Sequence, residues 1–287
     1  MIDYYATIRD AIDFIERHLT DPISVEDVSR HAFASRWYFQ RIFRFVTGYS
    51  VYTYLRNRRL AEAGNDLFLT KAKVIDIALK YQYATPESFL RAFRKEYGMN
   101  PADYRRTSEH RLFERIEIAS DRFAQTDTAT RIRYRQVTRN EILVIGVRNR
   151  TTMQKKQNET DIPLFWQSFM NENIAAKIPG KTGDAAMGIY CNWDFDEYFD
   201  VLTGCEVSGI TTIPEGMVSY RLPPAKYIAF TVPGNTNEDI LAAWKFIYGV
   251  WMPNTGYERD FTDDFDMFDG RFQHPTKPES EIYIPIR

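Results

Sequence analysis

The sequence predicts a multidomain chain: an all-α double helix-turn-helix domain over residues 1–107, a connector at 108–128, and an α+β domain over 129–287 made of a duplicated strand-helix-strand-strand unit. Three observations carry this expectation. The pattern of residues 25–48 recurs at 74–98, the balance of charge changes sign between the two parts, and beyond Ile132 strand-like runs replace helical spacing.

The recurrence is close. Val25, Asp27 and Val28 match Val74, Asp76 and Ile77, and Phe33, Ser35, Phe39, Arg41, Phe43, Arg44 and Gly48 match Tyr83, Thr85, Phe89, Arg91, Phe93, Arg94 and Gly98. Such a repeat marks one supersecondary unit used twice. In the first copy Ser24 precedes a short apolar-periodic run, and Ser35 caps a second run carrying Trp37, Phe39, Ile42, Phe43 and Val46. A capping hydroxyl accepts hydrogen bonds from the orphan amides of a helix start, and a glycine such as Gly48 supplies the left-handed stop. In the second copy Thr85 takes the cap, Pro86 the first helical position, where no amide is missed, and Gly98 the stop. Arg36, Gln40, Arg41 and Arg44 in one copy, and Ser88, Arg91, Arg94 and Lys95 in the other, fall on the polar face of the second helix.

Between the copies Ser50–Leu69 has helical spacing, with Arg56, Arg58 and Arg59 clustered midway. Roughly 18 residues at about 1.5 Å each give a rod on the order of 27 Å. Adjacent major-groove segments on one face of a duplex lie about 34 Å apart, so a rigid pair of such units suits one molecule reading two segments. Residues 1–107 hold 17 Lys and Arg against 13 Asp and Glu, a net of +4, while the remainder carries 20 against 26, a net of −6. The mildly basic part is the part with the repeat, which fits a polyanion partner without requiring one.

Past the connector, with one short extended stretch at Phe113–Ile118, strands are expected at Ile142–Val147, Ala186–Trp193, Tyr198–Val207, Tyr227–Val232, Phe265–Phe268 and Glu281–Ile286, and helices at Ile162–Ile174 and Glu238–Trp251. The two helices carry Trp166 and Trp244 at matching places. Such a duplication closes into one sheet with both helices on one face, leaving the other face open for a ligand. In the last strand Ile282, Ile284 and Ile286 alternate with Glu281, Tyr283 and Pro285, so isoleucines against the helices put Glu281 and Tyr283 in the cleft. Tyr190, Trp193, Phe195, Tyr198, Tyr220, Tyr227 and Trp251 cluster in or beside these strands. Aromatic faces bordering a carboxylate suit a bulky cationic or amphipathic molecule. Cys191 and Cys205 read as reduced, buried thiols, and with His18, His31, His110 and His274 scattered no metal-ligand pair is expected. No apolar run reaches membrane-spanning length and no secretion signal opens the chain, so a cytoplasmic protein without a membrane partner is expected.

The residues now in view carry a resemblance. Ser-Arg-Trp-Tyr-Phe-Gln-Arg-Ile-Phe-Arg, Thr-Gly-Tyr-Ser, Tyr-Leu-Arg-Asn-Arg-Arg-Leu, Asp-Ile-Ala-Leu-Lys-Tyr-Gln-Tyr and Phe-Arg-Lys-Glu-Tyr-Gly-Met-Asn-Pro-Ala-Asp-Tyr-Arg-Arg resemble the AraC/XylS DNA-binding domain over residues 4–106, in its MarA/SoxS/Rob branch. Residues 130–287 resemble the GyrI-like effector-binding domain, most recognisably at the terminal Glu-Ile-Tyr-Ile-Pro-Ile. The resemblance implies a sequence-specific transcription regulator, an activator, with double-stranded DNA, a small-molecule effector and RNA polymerase as partners, no cofactor and no catalysis. It implies base contacts from Trp37, Gln40 and Arg41, a further base contact from Arg91, and phosphate contacts from Arg44, Arg94 and residues near Arg56, with Arg36, Thr85 and Ser88 beside them. The chain departs from the branch at Pro86, Glu87 and Ser88, where two glutamines and a threonine are usual. Glu87 faces repulsion from phosphate unless it accepts from a cytosine. For the effector the resemblance implies Glu281 on the cleft floor, and Tyr283, Tyr190, Trp193 and Trp251 join it as candidates. An acidic residue preceding an aromatic earlier in the domain matches Asp266 weakly. Two other classes stay open: a GyrI-like small-molecule hydrolase, which needs two carboxylates facing one cleft, and a ligand-sequestering protein fused to a DNA-binding domain.

Overall fold

The computed structural model describes residues 4–32, 36–107, 113–118, 132–194 and 198–287; of these, the side chains of residues 4, 36–38, 41 and 155 are outside the description. The chain divides into two compact units, residues 2–122 and 123–287.

The first unit is helical: α1 (Tyr4–Arg17), α2 (Val25–His31), α3 (Arg36–Thr47), α4 (Val51–Leu69), α5 (Val74–Lys80), α6 (Pro86–Tyr97) and α7 (Pro101–Tyr104). The cap chemistry read from sequence explains the boundaries. Ser24 accepts from the Asp27 amide while Asp27 accepts from the Ser24 amide, a reciprocal box that closes the start of α2. Thr85 and Ser88 form the same device at α6. The expected cap at Ser35 lies outside the described residues. Gly48 and Gly98 both take positive φ, 81° and 72°, the left-handed stop that a Cβ disfavours.

Helix α4 carries both copies. Tyr54 in its first half meets Phe43 of α3 edge-on at 5.8 Å, while Leu60, Ala63 and Leu67 in its second half share a core with Ile77, Phe89, Phe93 and Tyr104. Phe89 and Phe93 are fully buried, each stabilising the second copy by about 1.5–3 kcal/mol. Residues 113–118 of the connector pack against this unit: the Phe113 ring stands edge-on to Tyr49 and Tyr54, at 5.0 and 5.9 Å.

The second unit has one eight-stranded antiparallel sheet, in the order β1-β6-β8-β7-β3-β4-β2-β5. Its strands are β1 (Arg133–Arg139), β2 (Ile142–Thr152), β3 (Lys181–Cys191), β4 (Tyr198–Val207), β5 (Val218–Leu222), β6 (Ala225–Pro233), β7 (Asp264–Phe268) and β8 (Glu279–Ile286). Helix α8 (Gln157–Asn171) with short α9 (Ile174–Lys177) follows β2, and α10 (Asn237–Phe246) follows β6. The strand-helix-strand-strand units are therefore β2-α8-β3-β4 and β6-α10-β7-β8, meeting where β3 pairs with β7.

Several features differ from the sequence expectation. Strands β1 and β5 were not anticipated. Each covers the open edge of the other half's first strand, β1 on β6 and β5 on β2; β1 is polar and exposed and β5 is only five residues long, so neither forms a long apolar run. The helix expected over Glu238–Trp251 is α-helical only to Phe246 and widens to a π-helical turn over Ile247–Trp251. The helix expected over Ile162–Ile174 starts earlier and breaks at Asn173, which has φ 49°.

The isoleucines of β8 do lie on the helix side: Ile282 pairs with Phe230, which packs on Trp251, and with Asp266, which bonds Tyr190 beneath Trp244. The opposite face, expected to stand open, is filled. The sheet curls over it, so that Arg139 of β1 reaches Glu206 of β4 at 2.7 Å and Tyr220 of β5 reaches Asp263, just before β7, at 2.6 Å. Ile142, Val144, Met187, Ile189, Leu202, Tyr227, Phe265 and Tyr283 pack together inside the curl.

Candidate functional site

In the first unit the candidate interface is the outer side of the two second helices. On α6, Phe89 and Phe93 point inward and Glu87, Arg91, Arg94 and Lys95 outward, a stripe at positions i, i+4, i+7 and i+8. Arg91 is exposed and makes no hydrogen bond or ion pair among the described residues, so its guanidinium is available for a base edge. Arg94 is exposed but donates from Nε and Nη2 to Asn100 Oδ1, at 3.0 and 2.6 Å, which aims it rather than removing it from the surface. Thr85 and Ser88 hold the helix start together. Thr85 Oγ1 accepts from the Ser88 amide at 3.2 Å, and Ser88 Oγ donates to the Thr85 carbonyl at 2.7 Å. A base contact from either hydroxyl has to compete with the cap.

On α3 the side chains of Arg36, Trp37 and Arg41 lie outside the described residues. Gln40 is half-buried, with its Nε2 shielded from solvent and without a hydrogen-bond partner among the described residues. An amide left so is costly. Arg44 is half-buried.

Two of the three arginines clustered midway along α4 are engaged within the protein. Arg58 is buried, holding Glu16 of α1 through Nε and Nη2 at 2.9 Å each, Glu62 at 2.9 Å and the Phe113 carbonyl at 2.6 Å. Arg59 donates to the carbonyls of Leu19 and Asp21 at 2.9 and 2.5 Å. Arg56 reaches Asn57 Oδ1 at 3.2 Å. Arg58 and Arg59 thus tie α1 and the connector to the rod, because backbone carbonyls and a buried carboxylate need donors.

In the second unit the structure does not bring the five effector candidates together. Glu281 and Tyr283 lie inside the curl of the sheet. Glu281 is 2% exposed, and accepts from Arg135 Nη1 at 2.6 Å, from the Tyr283 hydroxyl at 2.6 Å and from Arg271 Nη1 at 3.3 Å. Burial pushes its carboxyl up, but the hydrogen bonds from Arg135, Tyr283 and Arg271 outweigh that and hold it below the usual carboxylate range. Burial and the bond to Glu281 push the Tyr283 phenol up to about 12. The partner that an acidic residue at the start of an apolar strand needs is supplied from within, by the guanidiniums of Arg135 and Arg271. Arg135 escaped the sequence search because it sits on the unanticipated β1, although Arg133, Arg135 and Arg139, all on the same face, were a legible signal.

Tyr190, Trp193 and Trp251 lie on the helix side. The Tyr190 hydroxyl donates to Asp266 Oδ2, and its ring stands edge-on to Trp244 of α10 at 5.2 Å. Trp166 of α8 meets Phe268 at 4.7 Å, so tryptophans from both helices frame a buried carboxylate. Trp193 stacks on Phe199 at 4.0 Å, and Trp251 packs between Phe230 and Tyr134 at 4.8 and 5.0 Å, toward the ends of the same face. Because Asp266 pairs with Ile282, it and Glu281 project from opposite faces of the sheet. The two acids do not face one cleft, which removes the geometry a two-carboxylate hydrolase requires.

Among the described residues no group of three His, Cys, Asp or Glu is placed to hold a metal ion, and no helix is long and apolar enough to cross a membrane. Cys191 and Cys205 are free and buried, and burial pushes the Cys191 thiol up to about 12.

The comparisons agree with this division. Residues 28–107 match the family model described as a helix-turn-helix domain, and residues 135–286 match that of the integron-associated effector binding protein. The right origin-binding protein of Escherichia coli K12 is 39% identical over 309 aligned positions, covering 100% of both chains. The transcriptional regulator Rob of Salmonella typhimurium is 40% identical over 112 residues, 39% of this chain and 39% of that protein. The HTH-type transcriptional activator AarP of Providencia stuartii is 39% identical over 98 residues, 34% of this chain and 73% of AarP.

Proposed function

The chain belongs to the family of the right origin-binding protein, DNA-binding transcription regulators of AraC type with a C-terminal effector-binding domain, and from that membership we propose that it activates transcription at sites read jointly by α3 and α6. The observation that carries this reading is the mounting of the two recognition helices on opposite halves of one 19-residue helix, a rod about 28 Å long. A helix rod resists bending, so the two readers act at a fixed separation and a single chain spans adjacent major-groove segments. Trp37, Gln40, Arg41 and Arg91 choose sequence, and Arg36, Arg44 and Arg94 hold register on phosphates. Activation follows from the likeness of this unit to an activator and requires contact with RNA polymerase in the cytoplasm. Selection of duplexes from a random pool by the full chain tests the reading. The expected result is one enriched bipartite site, with Arg41→Ala weakening it by about 1–3 kcal/mol and relaxing one base position. Equal loss on selected and random duplex would overturn the assignment of Arg41.

The effector, in our reading, is an amphipathic cation with a flat apolar face, held on the helix side of the sheet. There Asp266 supplies the charge, Tyr190 the hydrogen bond, and Trp166 and Trp244 the aromatic walls for stacking and cation–π attraction. Glu281, already paired with Arg135 and Arg271, supports the floor from the other side. Titration with a lipophilic cation and its neutral isostere, followed by tryptophan fluorescence, distinguishes the two acids. Asp266→Asn is expected to abolish the preference for the cation, and Glu281→Gln to leave it.

A further inference from the structure

The two recognition helices differ at one position whose chemistry points to a particular base. The register that aligns Phe39 with Phe89 and Arg41 with Arg91 places Glu87 where the first copy has Trp37. Glu87 is the second residue of α6, is exposed, and has no hydrogen bond or ion pair among the described residues. Arg91, one turn further along, shares both properties, and with Leu90, Arg94 and Lys95 these two line a shallow hollow on the outer face of α6. The neighbouring hydroxyls of Thr85 and Ser88 are engaged in the cap, and Pro86 has no amide to offer. At the leading end of this helix, Glu87 is therefore the charged side chain with free capacity.

A carboxylate on a helix lying in the major groove finds few partners. Phosphates repel it, and so do the acceptor atoms of guanine and of thymine. Adenine shows an amine beside an acceptor, whereas cytosine shows an amine that stands as a lone donor. Arg91 has the complementary requirement, met by the two acceptors of guanine. Side chains four apart on a helix are separated by about 5–6 Å. With bases stacked about 3.4 Å apart along each strand, the two readers address positions one or two steps apart.

Resting on the DNA-binding reading above, we propose that Glu87 is a specificity-determining residue of the second recognition helix, selecting cytosine through its exocyclic amine, and that Arg91 selects a guanine one or two base pairs away. The second half-site consequently carries a C and a G at that spacing, and differs from the half-site read by α3 because Trp37 and Glu87 seek opposite surfaces: an apolar methyl for one, a donor for the other.

The test is duplex selection with the full chain, comparing wild type with Glu87→Gln and Glu87→Ala, followed by competition between the selected duplex and one with that cytosine changed to thymine. For wild type the change to thymine is expected to weaken binding roughly 5- to 150-fold. Glu87→Gln is expected to move the preference from cytosine to adenine, whose paired donor and acceptor suit an amide, and Glu87→Ala to erase preference at that position alone. If Glu87→Gln instead tightens binding equally on every duplex, Glu87 acts only by repelling phosphate and the proposal is wrong. It is equally wrong if wild type enriches a site with no cytosine in the second half. If wild type enriches no sequence at all, the DNA-binding reading itself fails, an outcome separate from the other two. Glu87 is exposed, so the variants are expected to fold, which circular dichroism verifies.

Discussion

The chain contains two duplications, and they are built on opposite terms. In the first unit the copies stay apart: each helix-turn-helix closes its own core against a different half of α4. In the second unit the copies merge: β3 pairs with β7 across the join, and β1 and β5 are exchanged so that each half covers the other's edge. The difference follows from where backbone hydrogen bonds go. A helix satisfies its own, so a helical copy needs only an apolar surface to lean on. A strand satisfies none alone, and a three-stranded half leaves two edges unpaired. The lesson is functional as well, since separated copies suit reading two places at once, and fused copies suit enclosing one thing.

Substitutions at the fastenings break the comparison most severely. Arg58→Ala is expected to cost the first unit about 3–5 kcal/mol, because it strands the carboxylate of Glu16 without its guanidinium and releases the Phe113 carbonyl. Thermal unfolding of the full chain, monitored by circular dichroism at 222 nm, should show a helical transition shifted down with the sheet transition in place. A single shift of both transitions would contradict the separation of the units.

Next comes the sheet. Gly146 and Gly204 face each other across β2 and β4, and a Cβ at Gly146 would stand 2.2 Å from the Thr203 carbonyl oxygen. Only backbone movement relieves that contact, so Gly146→Ala should destabilise the second unit by about 3 kcal/mol. Because the halves share one sheet, the fluorescence of Trp166 in one half and of Trp244 and Trp251 in the other should change in one step in denaturant. Two separate steps would mean that the halves are as independent as the helical copies.

A smaller effect sharpens the electrostatic side. Glu281→Gln should cost about 2–3 kcal/mol at neutral pH, by weakening charge-assisted bonds from Arg135 and Arg271. Since the folded protein holds the Glu281 carboxyl below its ordinary value, its contribution is present above that value and fades as the pH falls through the depressed one. The stability gap between wild type and variant should therefore close on acidification, and a gap constant down to pH 2 would mean packing rather than charge. The smallest change is Thr85→Ala, about 1 kcal/mol from the loss of the α6 cap. Ser24→Ala, which removes the reciprocal box at the start of α2, should cost a similar amount.

Much of the helical unit was legible residue by residue, because capping, left-handed stops and apolar spacing are local signals: Ser24, Thr85, Pro86, Gly48 and Gly98 each act within one turn of themselves. Strand β4 was legible to its last residue for a related reason, a run rich in aromatic, β-branched and other apolar residues. The edge strands were not, since a strand with one wet face and one partner needs little apolar character. The site was legible in part. Arg91 and the sidedness of Glu281 came from periodicity, whereas the opposite facing of Glu281 and Asp266 needed the register between β7 and β8.

By itself, then, the amino-acid order determined that two helical readers are joined by a rod and that a duplicated α+β domain follows, because those features depend on neighbours within a few residues. Only the tertiary structure decided that Arg58 is a fastening rather than a phosphate contact, that β1 and β5 change partners, and that Arg135 meets Glu281 across 146 residues of chain. Charge and hydrogen-bonding capacity are written in each side chain, but which of them finds a partner is settled by what the fold carries to within about 3 Å.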